Sequence, residues 1–344
     1  MVKFFVIGLL SFVISGFFLL ILGRLANKVG LLDHPSDRKL HNVPTPLVGG
    51  LGIFCCLVIV AVATTVPDKV KLMLLVGGFV LVLGLLDDMF NLSALFRLVA
   101  QVGLAGFMVV HAELQIEKIA IFSIDINLGK VAGGVLAIIF LVLMINAFNL
   151  IDGIDGLASG LAIVAIVLLI GSQNLVSSVS YPYLFSALIG GLLCFWLVNI
   201  SFMGVSRVFL GDAGSLFLGY IISWLIIDFS VSGYTTISFI MGLWATFIPI
   251  LDVTQIIAMR IKHGKKIWHS DRMHIHHLLV DSGISDGKAL GILMASGLFF
   301  GSLGILLSYV IGSDASAIFF ITLLLGLILL INAYHDKRDR RFSQ

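Results

Sequence analysis

The chain has 344 residues and only 12% of them are charged, 21 Lys and Arg against 19 Asp and Glu, where a soluble domain has about 25%. Hydrophobic residues make up 59%, Phe alone contributes 26, and the mean hydropathy is +1.13. A chain of this make-up has lipid as its main solvent, which excludes a cytosolic globular protein, a disordered chain and a disulfide scaffold together.

Apolar runs separated by polar punctuation predict about eleven membrane-spanning helices, at roughly 4–22, 47–66, 72–86, 95–110, 131–146, 157–171, 181–199, 213–228, 238–258, 289–309 and 316–334. The first run follows Lys3 and lacks a small-residue cleavage site, so it reads as a retained helix and not a signal peptide. Cys55, Cys56 and Cys194 lie inside apolar runs without metal or redox spacing and read as small core residues. The stretch 112–130 alternates apolar and polar residues and is too polar to span, which predicts a small hairpin on the outer surface. With eleven spans, sixteen of the 21 Lys and Arg fall on one side. That side is expected to be cytoplasmic, with the N-terminus outside and the HDKRDRR tail inside. No internal repeat is visible, so the expectation is one all-α polytopic membrane domain over 1–344.

The unusual polar clusters all fall on the expected cytoplasmic side. In LLDDMFN, Asp87 and Asp88 stand four and three residues before Asn91, a spacing that shares one helical face and makes an oxygen-rich end. Acids at a helix C-terminus oppose the helix dipole, an objection a cation removes. NAFNLIDGIDGLASG sets Asn146, Asn149, Asp152 and Asp155 on a glycine-rich turn with no Lys or Arg, so counterions must come from elsewhere. Asp212, in FLGDAGS, opens an apolar run; a helix N-cap and a metal ligand are both open readings. Phe209 just before it is a candidate to stack on a base, against the plain reading of one Phe among many. In DRMHIHH, Arg272 and His274, His276 and His277 suit phosphate oxygens or a leaving group, and the first basic loop adds Arg38, Lys39 and His41. Asp252, after Pro249, is an intramembrane carboxylate and a functional candidate on that ground. If Asp87, Asp88, Asp152, Asp155 and Asp212 converge, each like-charge pair at ~4 Å costs roughly 4 kcal/mol at an effective dielectric of 20. A divalent cation or a raised pKa follows, and oxygen ligands favour Mg²⁺ or Mn²⁺ over zinc.

Five motifs in order, DHPSDRKLHNVPTPLVGG, LGLLDDMFN, NAFNLIDGIDGL, VFLGDAGS and DRMHIHHLL, resemble the polyprenyl-phosphate N-acetylhexosamine-1-phosphate transferases over nearly the whole chain. The His-Ile-His-His form, the basic tail and the eleventh span are most similar to the branch that loads N-acetylglucosamine 1-phosphate onto undecaprenyl phosphate. The resemblance implies that Asp212 is a magnesium ligand, with Asp87 and Asp88 at the metal and lipid phosphate. It implies that Asn146, Asn149, Asp152 and Asp155 hold the nucleotide side with Phe209 near the uracil. Arg272 and the three histidines then surround the sugar and diphosphate, with Arg38 and Lys39 also toward substrate. Asn91, where some relatives have Asp, is doubtful as a ligand. UDP-GlcNAc, undecaprenyl phosphate and the bilayer are the expected partners, a homodimer is plausible from the family, and no nucleic acid is expected. Another UDP-N-acetylhexosamine or UDP-muramyl-pentapeptide is the alternative donor. A secondary transporter and a membrane prenyltransferase are the rival classes, the first disfavoured because the polar residues gather at helix ends and not at the midplane.

Overall fold

A computed structural model describes residues 2–35, 43–121, 124–176, 180–202, 207–231, 238–266 and 273–342. Arg38, Lys39, His41 and Arg272 lie outside the described residues. In chain order the elements are α1 (Val2–Val29), β1 (Leu32–Asp33), β2 (Thr45–Pro46), α2 (Gly49–Ala63), α3 (Asp68–Phe90) and α4 (Ala94–His111). The strands β3 (Lys118–Ile121) and β4 (Ile124–Asn127) follow, then α5 (Gly129–Ile151), α6 (Leu157–Val176), α7 (Pro182–Asn199) and α8 (Gly211–Val231). The chain ends with α9 (Phe239–Ala245), α10 (Phe247–Lys262), α11 (Ile275–Asp281), α12 (Asp286–Val310) and α13 (Ser313–Phe342).

Helices dominate because lipid offers the backbone no hydrogen-bond partner, so each apolar run must satisfy its N–H and C=O groups internally. Nine of the described helices, α1, α3 to α8, α12 and α13, are long and apolar enough to cross a bilayer. The expected ninth span is not one straight helix: α9 and α10 meet at Thr246 with an 82° bend. The fragment α2 is apolar but has only 15 residues. The hairpin expected at 112–130 is present, with β3 antiparallel to β4 and Ile119 opposite Ile126.

The packing grades from centre to rim. In α8, 89% of the spanning window is buried, against 11% in α13 and 17% in α1, so α8 is the axis and the others present Phe, Leu and Val outward. The helices α3 and α5 make the broadest packing against α8. The antiparallel pair α3 and α8 is fastened at both ends. At one end Lys69 pairs with the fully buried Asp228 at 2.5 Å, and Tyr181 Oη donates to the same carboxylate at 3.0 Å. At the other end Asp88 receives the first N–H groups of α8. The 19 helical steps from Lys69 to Asp88 rise about 28 Å, close to the hydrocarbon thickness of a bilayer.

Candidate active site

The site lies where α3 and α5 end and α8 begins. Asp88 Oδ1 accepts the Asp212 N–H at 2.8 Å and Oδ2 accepts the Ala213 N–H at 3.2 Å. A carboxylate from another helix thus does for α8 what an N-cap residue does locally. Asp212 itself is in the first turn of α8 and is not its cap, which leaves its side chain free for other work. That side chain is 36% exposed, with Oδ1 accepting from Asn149 Nδ2 at 2.7 Å; the same amide donates to Ser215 Oγ at 3.1 Å.

Asp87 faces differently. It is 4% exposed, accepts the Leu92 N–H at 2.8 Å, and pairs with Arg97 on the first turn of α4. The same guanidinium lies 4.0 Å from Asp212 Oδ2. The chain doubles back between α3 and α4 because Asn91 takes a left-handed conformation, φ 49°, as C-cap, and Ser93 Oγ caps α4 through the Phe96 N–H. Asn91 is exposed; its N–H still closes an i, i+4 bond on Asp87 O at 2.8 Å, and among the described residues no side-chain hydrogen bond joins it to the two acids.

The turn after α5 carries the second acidic pair. Asp155 pairs with Arg207 at 3.0 Å. Asn199 holds the turn, its Oδ1 accepting the Gly156 N–H at 2.6 Å while its Nδ2 donates to Val208 O. Asp152, just beyond the end of α5, has its carboxyl pushed up to about 8 by burial first, then by the charges of Asp212, Asp155 and Asp88. Four acids separated by up to 124 residues therefore act on one another electrostatically. Asn146 is engaged with the scaffold, donating to Gln101 Oε1 at 2.7 Å and to Val142 O. Phe209 is half-buried; its N–H donates to Pro46 O and its carbonyl accepts the Gly49 N–H at 3.0 Å, which stitches the α8 entry to β2 and α2.

The histidine segment docks on this floor. His274 Nδ1 lies 2.8 Å from Asp252 Oδ2 in a hydrogen bond, and Asp252 Oδ1 accepts the Ile275 N–H at 2.8 Å. The ring of His276 stacks on His274 at 5.4 Å and lies 4.2 Å from that of His277. His276 covers Gly153 so closely that a Cβ there would overlap its Nε2. Asp252 is fully buried.

Sequence reasoning missed Arg97 and Arg207, which it counted only as charges on one side of a membrane. Arg207 is a counterion of the acidic turn, through Asp155, and Arg97 serves Asp87 and Asp212. Arg97 carried a signal: a cation in the apolar first turn of a helix calls for an acidic partner.

Among the described residues no three His, Cys, Asp or Glu side chains stand close enough to enclose a metal ion. Magnesium needs no such cage, because it takes one or two carboxylates and fills its octahedron with water and phosphate oxygens. The outward-facing Asp212, beside acids whose mutual repulsion raises Asp152, fits that mode of binding.

The glycosyl transferase family 4 profile matches residues 70–230. The chain is 31% identical over 303 residues to the undecaprenyl-phosphate alpha-N-acetylglucosaminyl 1-phosphate transferase of Escherichia coli K12, covering 87% of this chain and 82% of that protein. It is 31% identical over 306 residues to the protein of the same name in Salmonella typhimurium, with 87% and 82% coverage. With the probable undecaprenyl-phosphate N-acetylglucosaminyl 1-phosphate transferase of Bacillus subtilis it shares 33% over 334 residues, 94% of this chain and 90% of the other.

Proposed function

The chain belongs to glycosyl transferase family 4, among the polyprenyl-phosphate N-acetylhexosamine-1-phosphate transferases, and from that premise we propose that it transfers N-acetylglucosamine 1-phosphate from UDP-GlcNAc to undecaprenyl phosphate. UMP leaves and undecaprenyl-diphosphate-GlcNAc forms, the first membrane step of a cell-envelope polysaccharide. The observation that carries this reading is the meeting of Asp88, Asp212, Asn149 and the Asp152 turn at one end of the bundle, under the histidine segment.

Phosphoryl transfer asks mainly for positioning and charge neutralisation. Here a lipid phosphate oxygen attacks the β-phosphorus of the nucleotide sugar, whose bond to the UMP oxygen breaks. Asp212 is the residue that would hold Mg²⁺ or Mn²⁺, with Asp87 and Asp88 behind it; the ion would neutralise the phosphate oxygens as charge moves. Arg97 and Arg207 supply fixed positive charge at the two edges of the acidic floor. Asn149 fixes the rotamer of Asp212. Asp152, Asp155, Phe209 and Asn146 lie toward the nucleotide, and Arg272, His274, His276 and His277 toward the sugar and diphosphate. A phosphate monoester is already largely ionised at pH 7, so the acceptor needs no strong base.

Counting α2 and the bent α9–α10 pair as one span each gives eleven, with the N-terminus outside and the site at the cytoplasmic face of the bacterial inner membrane. This location lets a soluble nucleotide sugar meet an acceptor whose tail stays in lipid. The test is UMP release by detergent-purified protein, with undecaprenyl phosphate, UDP-GlcNAc and Mg²⁺ omitted in turn and Asp212→Asn as control. Release that needs all three and is lost in the variant supports the reading; release of inorganic diphosphate instead would point to a prenyltransferase.

A further inference from the structure

Buried carboxylates in a membrane helix are costly and need a reason. Asp252 is six residues past the 82° bend at Thr246, is fully buried, and its two oxygens are both committed to one short segment: Oδ2 to His274 Nδ1 and Oδ1 to the Ile275 N–H, each at 2.8 Å. With Oδ1 accepting the Ile275 N–H, the arrangement in which both carboxylate oxygens accept puts a proton on His274 Nδ1. Nε2 is then the ring atom left for other contacts.

From His274 the contact runs on to the acidic floor. Its ring stacks on His276 at 5.4 Å, 24° from parallel, and the His276 ring lies directly over Gly153, next to Asp152. Asp252 thus stands at the far end of a line of rings that finishes at the proposed nucleotide turn, and it touches neither that turn nor Asp212 in any hydrogen bond of the described residues.

Resting on the transferase reading above, we infer that Asp252 is a positioning residue for phosphosugar transfer, holding His274 in the Nδ1–H tautomer and locking the histidine segment over the Asp152 turn. Conserving the side-chain shape while removing the charge separates this from simple packing. In Asp252→Asn the single carbonyl oxygen cannot serve both the Ile275 N–H and the His274 Nδ1–H, so one contact reverses and the ring shifts to the Nε2–H tautomer.

The experiment combines two readouts on full-length protein in detergent. The ¹⁵N spectrum of labelled histidine, with His274→Gln to assign the resonance, is expected to show Nδ1–H in the unsubstituted protein and Nε2–H in Asp252→Asn. UMP release is expected to lose ~10–100-fold in kcat, the range for groups that orient another functional side chain, with KM for UDP-GlcNAc changed less than about threefold. Asp252→Glu, which keeps both acceptor oxygens, is expected to recover part of the rate. In the His274→Gln background Asp252→Asn is expected to add nothing. An unchanged tautomer, a full rate in Asp252→Asn, or additive losses in the double variant would each overturn the inference. If the unsubstituted protein releases no UMP, the transferase reading fails while the tautomer still decides whether Asp252 orients His274.

Discussion

Asp88 and Asp212 are joined through the backbone of one and the carboxylate of the other: Asp88 accepts the Asp212 N–H at 2.8 Å and leaves the Asp212 side chain uncommitted on that side. One acid therefore builds the platform from which the next one works. Capping carboxylates are worth about 0.5–2 kcal/mol. Asp88→Ala strips two N–H groups at the start of α8 of their acceptor, and we expect a loss of about 1 kcal/mol together with loss of UMP release. Asp88→Asn retains one acceptor and is expected to melt closer to the unsubstituted protein while staying poorly active. Thermal unfolding in detergent beside the activity assay separates the two effects; equal melting of all three proteins would remove the capping role.

Arg97 holds the other acid. Breaking a fully buried ion pair costs about 3–5 kcal/mol because the remaining charge is stranded. Asp87 is 4% exposed but Arg97 is 28% exposed, so water relieves part of the loss. Arg97→Ala is expected to cost about 2 kcal/mol and to reduce turnover, since Asp212 also loses a guanidinium 4.0 Å away. Adding Asp87→Asn to Arg97→Ala should recover stability without recovering turnover. Should the double variant prove less stable than the single one, the stranded charge was not the cause.

Span positions were legible because bilayer thickness sets them: the runs read at 95–110 and 157–171 became Ala94–His111 and Leu157–Val176. The break at Thr246 was not. The apolar pattern runs through it unchanged, and Pro249, near the N-terminus of α10, sits where a helix tolerates its missing N–H. Acidic motifs were legible as a set because acids are rare in such a chain. Their partners were not, since Asp88 meets a backbone 124 residues away and Arg97 reaches Asp87 only because the chain reverses at Asn91. Asp252 was visible as an intramembrane acid, but its partner lies 22 residues on, beyond a loop whose length alone says nothing of where it lands.

Asp152 makes stability depend on pH. Its carboxyl titrates near 8 in the folded protein and near ~3.9 when unfolded, so between those values the folded state holds the extra proton. Stability is then highest on the acid side and falls as pH rises from about 4 to about 8. In chelator, the melting temperature is expected to decline between pH 5 and pH 8 and to decline less in Asp152→Asn. Added Mg²⁺ should raise melting most at the upper end, where the acids are ionised. Parallel declines in both proteins would show that Asp152 is not the titrating group.

Gly84 sets how closely α3 approaches the start of α8. A Cβ at this position would overlap the Ala213 backbone and the Asp212 carbonyl carbon, atoms that cannot swing aside as a side chain can. Gly84→Ala must therefore push the two helices apart, which overpacking data price at about 1–3 kcal/mol. Displacement moves the α8 N-terminus away from Asp88 and Asp212 away from its partners, and a misplacement of ~1 Å at a reacting group lowers rates by roughly 100-fold. The control is Gly103→Ala in α4, where a Cβ meets nothing within 4 Å and a helical Gly to Ala change is neutral or stabilising by up to about 1 kcal/mol. Melting and UMP release measured on both variants check the argument: Gly84→Ala should fall in both and Gly103→Ala in neither. Full activity in Gly84→Ala would mean that the site tolerates a looser α3–α8 contact, and that the Asp88 cap rather than the helix spacing fixes where Asp212 stands.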